Sequence, residues 1–94
     1  MKAYLRKSKR PTKKWAVTLD GVTIHFGQQG APDYTTTNDE ARKRAYLARH
    51  RSRENWSKSG KKTAGFWSRY LLWNAKTIEK SKKYITARFG IKFV

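Results

Sequence analysis

Cysteine is absent from this chain, proline occurs twice, and only six of the 94 residues are acidic. Without cysteine there is neither a disulfide framework nor a thiolate site, so zinc would have to rely on two histidines and the few carboxylates. No apolar run approaches the roughly 18–20 residues that a membrane-spanning helix needs. The N-terminus also lacks the apolar stretch of a signal peptide. These absences set the expectation of a soluble, intracellular protein without membrane contact. Walker loops, H-x-x-x-H pairs, G-x-S-x-G elbows and paired carboxylates are all missing, so neither an enzyme nor a cofactor is expected. His25 and His50 are the only candidate bases, and neither has a carboxylate beside it in sequence. Asp33, Asp39, Glu40 and Glu54 could join His50 in a metal cluster, but no spacing favours it.

What the chain has in abundance is positive charge: 23 Lys and Arg, a formal net charge of +17 and a pI near 10.7. A net charge of about 2–8 is enough to keep a small domain soluble. The excess calls for a polyanionic partner, and nucleic acid is the default. Hydrophobic residues still make up 37% of the chain and aromatics 14%, enough for one small core. The low mean hydropathy of −0.94 reflects added charge more than missing core material.

Residues 1–14, MKAYLRKSKRPTKK, carry seven basic groups and no acidic one, which reads as an extended basic arm outside the fold. A single α+β domain is expected over residues 15–94. Within it, KKWAVTLDGVTIHFG alternates apolar and polar residues about Asp20-Gly21, a pair suited to a two-residue type I′ turn. The register follows: Leu19 faces Val22, Val17 faces Ile24 and Trp15 faces Phe26 on a sticky face, with Thr18–Thr23 and Ala16–His25 on the other. Thr37 and Glu40 form the pattern of a capping box, predicting a helix from Asn38 through residue 51. Ala41, Ala45 and Ala48 would pack, while Arg42, Arg49 and Arg53 share a stripe with Tyr46 that faces water or phosphate.

The segment TAGFWSRYLLWN (Thr63 to Asn74) is a helix capped by Thr63 and apolar over most of its circumference, which places Trp67, Tyr70 and Trp73 in the core. A last helix is expected after Thr77, ending at Gly90, and the tail IKFV alternates and can add a third strand beside the hairpin. The expected fold class is therefore α+β: a small antiparallel hairpin on about three helices, with a basic arm. Candidate nucleic-acid contacts are Arg6, Lys7, Lys9, Arg10, Lys13 and Lys14 of the arm, Arg42, Arg49 and Arg53 of the stripe, and Lys58, Lys61 and Lys62 of the loop ENWSKSGKK. Trp56, between Arg53 and Lys58, is the candidate for stacking on a base. The greasy second helix argues against helix-turn-helix readout of sequence, which leaves contacts to phosphate.

The strings VTIHFGQQGAPDYT, ARKRAYLARH, ENWSKSGKKTAGFWSRYLLWN and RFGIKFV together resemble a family of small basic proteins of uncharacterised function from nucleocytoplasmic large DNA viruses, such as those of algae and amoebae. The shared pattern is HFG, G-x-x-D-Y-T, R-x-x-Y-x-x-R-H, N-W, K-T-A-G and L-L-W. It falls here on His25, Phe26, Gly27, Gly30, Asp33, Tyr34, Thr35, Arg49, His50, Asn55, Trp56, Lys62, Thr63, Ala64, Gly65, Leu71, Leu72 and Trp73, and covers about residues 13–94. The resemblance brings no catalytic residues with it. It implies a viral origin and a role in the virion or with the viral genome, without choosing between the two, and, during infection, a place in the host cytoplasm or nucleus. The partners it implies are nucleic acid, DNA ahead of RNA, with capsid or core proteins as the alternative for a minor structural protein whose basic arm binds acidic surfaces.

Overall fold

The computed structural model describes all 94 residues. Strands β2 (Lys13–Leu19) and β3 (Val22–Gln28) form the hairpin that Asp20-Gly21 predicts. Asp20 and Gly21 have φ of +50° and +73°, the two left-handed residues that a type I′ turn requires, and all five cross-strand pairs read from the sequence are present. Val17, Leu19, Ile24 and Phe26 are buried on the inner face. Trp15 is half-buried there, and Val22 beside the turn is exposed.

Residues 1–14 are not an arm. Lys2–Lys7 form strand β1, which lies inside a four-stranded sheet of order β3-β2-β1-β4, with β4 spanning Lys92–Phe93. β1 runs antiparallel to β2 and parallel to β4. The period of two explains the docking: Ala3 is fully buried and Leu5 packs against the core, while Tyr4 and Arg6 take the opposite face. The expected C-terminal strand exists, but it pairs with β1 instead of the hairpin. The domain thus begins at β1, and the molecule is a small α+β fold.

A single helical turn, α1 (Tyr34–Thr37), follows the hairpin. Its capping box is built on Asp33, which accepts from the Thr35 N–H at 2.9 Å, while Thr36 Oγ1 accepts from the Asp33 N–H at 3.0 Å. Asn38 then turns left-handed at φ +53° and closes α1. Helix α2 (Glu40–His50) consequently starts later than expected and is capped by Asp39, which accepts from the Arg42 N–H at 3.1 Å. Its inward side is Lys43, Tyr46, Leu47 and His50, spaced i, i+3, i+4, i+7, whereas Ala41, Ala45 and Ala48 are exposed. The alanine face does not pack.

Thr63 caps α3 (Ala64–Trp67) as expected. The chain then widens into a π-helical turn, Ser68–Leu72, closed by the Trp73 N–H donating to the Ser68 carbonyl at 3.1 Å. That extra residue per turn shifts everything after it in phase. Trp67 and Tyr70 are buried in the core, but Trp73 is rotated out to a half-buried position. Helix α4 (Ile78–Phe89) is capped by Thr77 and Gly90 as predicted and contributes Ile85 and Phe89 to the core. The core is a slab between the inner face of the sheet and the aromatic segment with α4. No helix is long and apolar enough to cross a membrane.

Candidate nucleic-acid interface

The positive charges are gathered by local geometry around β2. Lys7 at the end of β1 and Lys9 and Arg10 in the β1–β2 connection border a hollow of about 480 Å³. A second and larger hollow, a cleft of about 550 Å³, opens between the hairpin, α2 and the aromatic segment, where Arg42 and Arg49 stand on its rim. Lys13, Lys14 and Asp33 line both hollows, which therefore adjoin and are together called the trough. Seven of the thirteen residues expected from sequence meet there: Lys7, Lys9, Arg10, Lys13, Lys14, Arg42 and Arg49.

The carboxylates in the trough do not offset this charge in an open way, because both are committed to internal donors. Asp33 accepts from Lys14 Nζ at 2.7 Å and from the Thr35 hydroxyl at 2.5 Å. Lys14 also donates to the Ala31 carbonyl, so it is a half-buried tie between the hairpin and the following loop. Lys14 is therefore engaged within the protein and not free to meet a ligand. Glu54 accepts from His50 Nδ1 at 3.0 Å and from Trp56 Nε1 at 2.9 Å. Of the remaining six cations, Lys7 lies over the Trp15 ring at 4.2 Å and Arg42 makes an exposed contact with Asp39 at 3.6 Å, a type of pair that contributes little; the other four make no ion pair.

The other expected contacts lie elsewhere. Arg6 is on the outer face of the sheet, donating to Thr18 Oγ1 at 2.9 Å. Arg53, Lys58, Lys61 and Lys62 line neither hollow. Trp56 is not free to stack: besides its bond to Glu54, its carbonyl accepts from the Tyr70 hydroxyl at 2.7 Å, and the Arg69 guanidinium lies over its ring at 5.3 Å. His25, on the outer face, bonds Ser8 Oγ at 2.8 Å. Desolvation and the nearby Arg10, Arg6 and Lys13 charges hold it below the usual histidine range. No group of three or more potential metal ligands comes together. Asp33, Glu40 and Glu54 serve Lys14, the Tyr34 hydroxyl and His50 separately.

The inner wall of the cleft is a stack of rings that the fold brings together from α2 and the end of the aromatic segment. Tyr46 is stacked between His50 (centroids 4.1 Å apart) and Trp73 (4.4 Å apart, rings within 6° of parallel). Glu54, four residues beyond His50, fixes the imidazole, and that i, i+4 spacing was the available signal. Burial, with the Glu54 charge next, pushes the Tyr46 phenol up to about 12 from 10.0. The fold thus favours the neutral phenol. The stabilisation tied to it is complete below pH 10 and is lost as pH rises from 10 toward 12. Urea midpoints measured across that range should fall, with one tyrosine ionising last in the ultraviolet titration.

Gly65 keeps this wall closed. A Cβ there would sit 2.7 Å from Glu54 Cδ, and Glu54 cannot step aside without breaking its bond to His50 or Trp56. Gly65→Ala is expected to cost about 1–3 kcal/mol in urea denaturation. A change within about 0.5 kcal/mol would show that the carboxylate moves freely.

Neither a curated protein nor a solved structure matches the chain. A family model matches residues 3–50, from β1 to the last residue of α2. That span contains every basic residue of the trough and includes the strand that sequence reading had set aside as an arm. With just over half of its length matched, the chain belongs to the family of unknown function DUF5754.

Proposed function

We propose that this protein binds nucleic acid, DNA ahead of RNA, by contacting the phosphate backbone in the trough without reading base sequence and without catalysing a reaction. The observation that supports it most is charge placement: Lys7, Lys9, Arg10, Lys13, Arg42 and Arg49 line two adjoining hollows in which Asp33 is paired with Lys14 and Glu54 is the one carboxylate not paired with a lysine or arginine. Such an arrangement leaves the surplus charge to an outside polyanion. The resemblance to proteins of large DNA viruses adds the setting, a basic protein carried with the genome in the virion.

Binding to a random-sequence duplex, followed by fluorescence anisotropy at several salt concentrations, tests the reading. Six cations engaging about six phosphates give a slope of log affinity against log salt near −5. Arg49→Gln should lower the steepness by about one. An absence of binding at about 50 mM salt, or a slope near zero, overturns it. An RNA duplex bound as tightly as DNA would remove the preference while keeping the mode.

A further inference from the structure

The cleft has a feature that backbone binding does not use. Its volume of about 550 Å³ falls within the range of small-ligand pockets, roughly 300–1,000 Å³. Its wall combines apolar and flat groups, Phe26, Tyr46, Leu72 and Trp73, with the cations Lys13, Arg42 and Arg49. A duplex backbone needs only the cations. A cavity with flat apolar walls beneath a cationic rim matches a ligand with a planar ring at one end and a phosphate at the other.

We infer that the cleft takes up a single unpaired nucleotide, its base entering beside the His50–Tyr46–Trp73 stack and its phosphate held by Arg42, Arg49 and Lys13. The inference rests on the nucleic-acid reading and names the part of the ligand that this site receives. The stack is rigid before any ligand arrives. Tyr46 is held between two rings, His50 is fixed by Glu54 at 3.0 Å, and Glu54 is fixed in turn by Trp56. With Nδ1 of His50 engaged by the carboxylate, Nε2 makes no bond within the protein and is left to meet a polar edge of the base. Ala45, small and exposed, leaves the mouth of the cleft open.

Three duplexes of equal length separate the possibilities: one fully paired, one with a single bulged adenosine, and one whose bulge carries an abasic residue. Anisotropy at about 50 mM salt is expected to show the bulged adenosine bound on the order of tenfold more tightly than either of the others. Free deoxyadenosine monophosphate should compete for that advantage, which identifies the nucleotide as the recognised group whether or not it belongs to a strand. Ala45→Trp, filling the mouth, should bring the ratio of bulged to paired affinity back to about one. If the circular dichroism of that variant shows misfolding, Arg49→Gln takes its place, with a reduced ratio expected. Equal binding of the adenosine and abasic bulges overturns the inference and leaves backbone binding standing. Failure to bind any of the three overturns both.

Discussion

Deletion of Met1 to Pro11 is expected to abolish the cooperative thermal transition. An arm could be removed at little cost to the fold; this segment occupies the interior of the sheet. Its loss strips β2 of the partners of Trp15, Ala16, Val17 and Thr18, and removes the only strand neighbour of β4. It also takes Ala3 from the core and the Ser8 N–H bond to the Lys14 carbonyl. What remains of the sheet is one hairpin, which is marginal on its own. Small domains hold only about 5–15 kcal/mol in total, so the loss of a central strand exceeds what the remainder can absorb. A far-UV melt with the midpoint of the intact protein would show that β1 is dispensable.

Trp67→Ala is the single substitution with the largest expected effect, about 3–5 kcal/mol. Its ring is fully buried, meets Phe66 edge-on at 5.1 Å, and its Nε1 donates to the Lys61 carbonyl at 2.6 Å. Alanine leaves a cavity and removes the tie that holds the loop after Trp56 against α3. Trp73→Ala should be milder, about 1–2 kcal/mol, because that ring is half-buried and loses mainly its stack on Tyr46. Urea denaturation of both variants gives the comparison, and equal losses would contradict the burial difference on which it rests.

The π-helical turn explains why these two tryptophans part company, and it marks a limit of sequence reading. A regular advance of 100° per residue puts Trp73 on the Phe66–Tyr70 side; one widened turn sends it to α2 instead. Features set by neighbours in sequence were legible: the Asp20-Gly21 register, the Thr63 and Thr77 caps and the Gly90 stop. The start of α2 was misplaced because two capping patterns overlap, and Asp33 with Asn38 closes one turn before Asp39 can open the next. β1 was missed for another reason. Its alternation of Ala3 and Leu5 with Tyr4 and Arg6 is short and submerged in lysine and arginine, so it reads as charged tail even though its partners, β2 and the C-terminal strand, are both legible. Most of the trough cations were recognisable as basic, but their convergence depends on β1 being a strand. The aromatic stack is visible only where α2 meets the end of the π turn.

The parallel pairing of β1 with β4 has a consequence for the order in which the molecule assembles. Lys2 lies opposite Lys92 and Ala3 opposite Phe93, so this seam closes a loop of about 90 residues. Loop entropy makes such a closure about 2 kcal/mol less favourable than that of a loop of about eight residues, whereas the hairpin and α4 need only local contacts. The seam therefore forms late, whereas β1 reaches β2 across a short connection, and that local pairing sets Lys7, Lys9 and Arg10 beside Lys13. Bringing these cations together opposes the pairing of β1 with β2. A polyanion that relieves this repulsion should speed refolding as well as raise stability, and stopped-flow refolding with and without short DNA would read the difference directly.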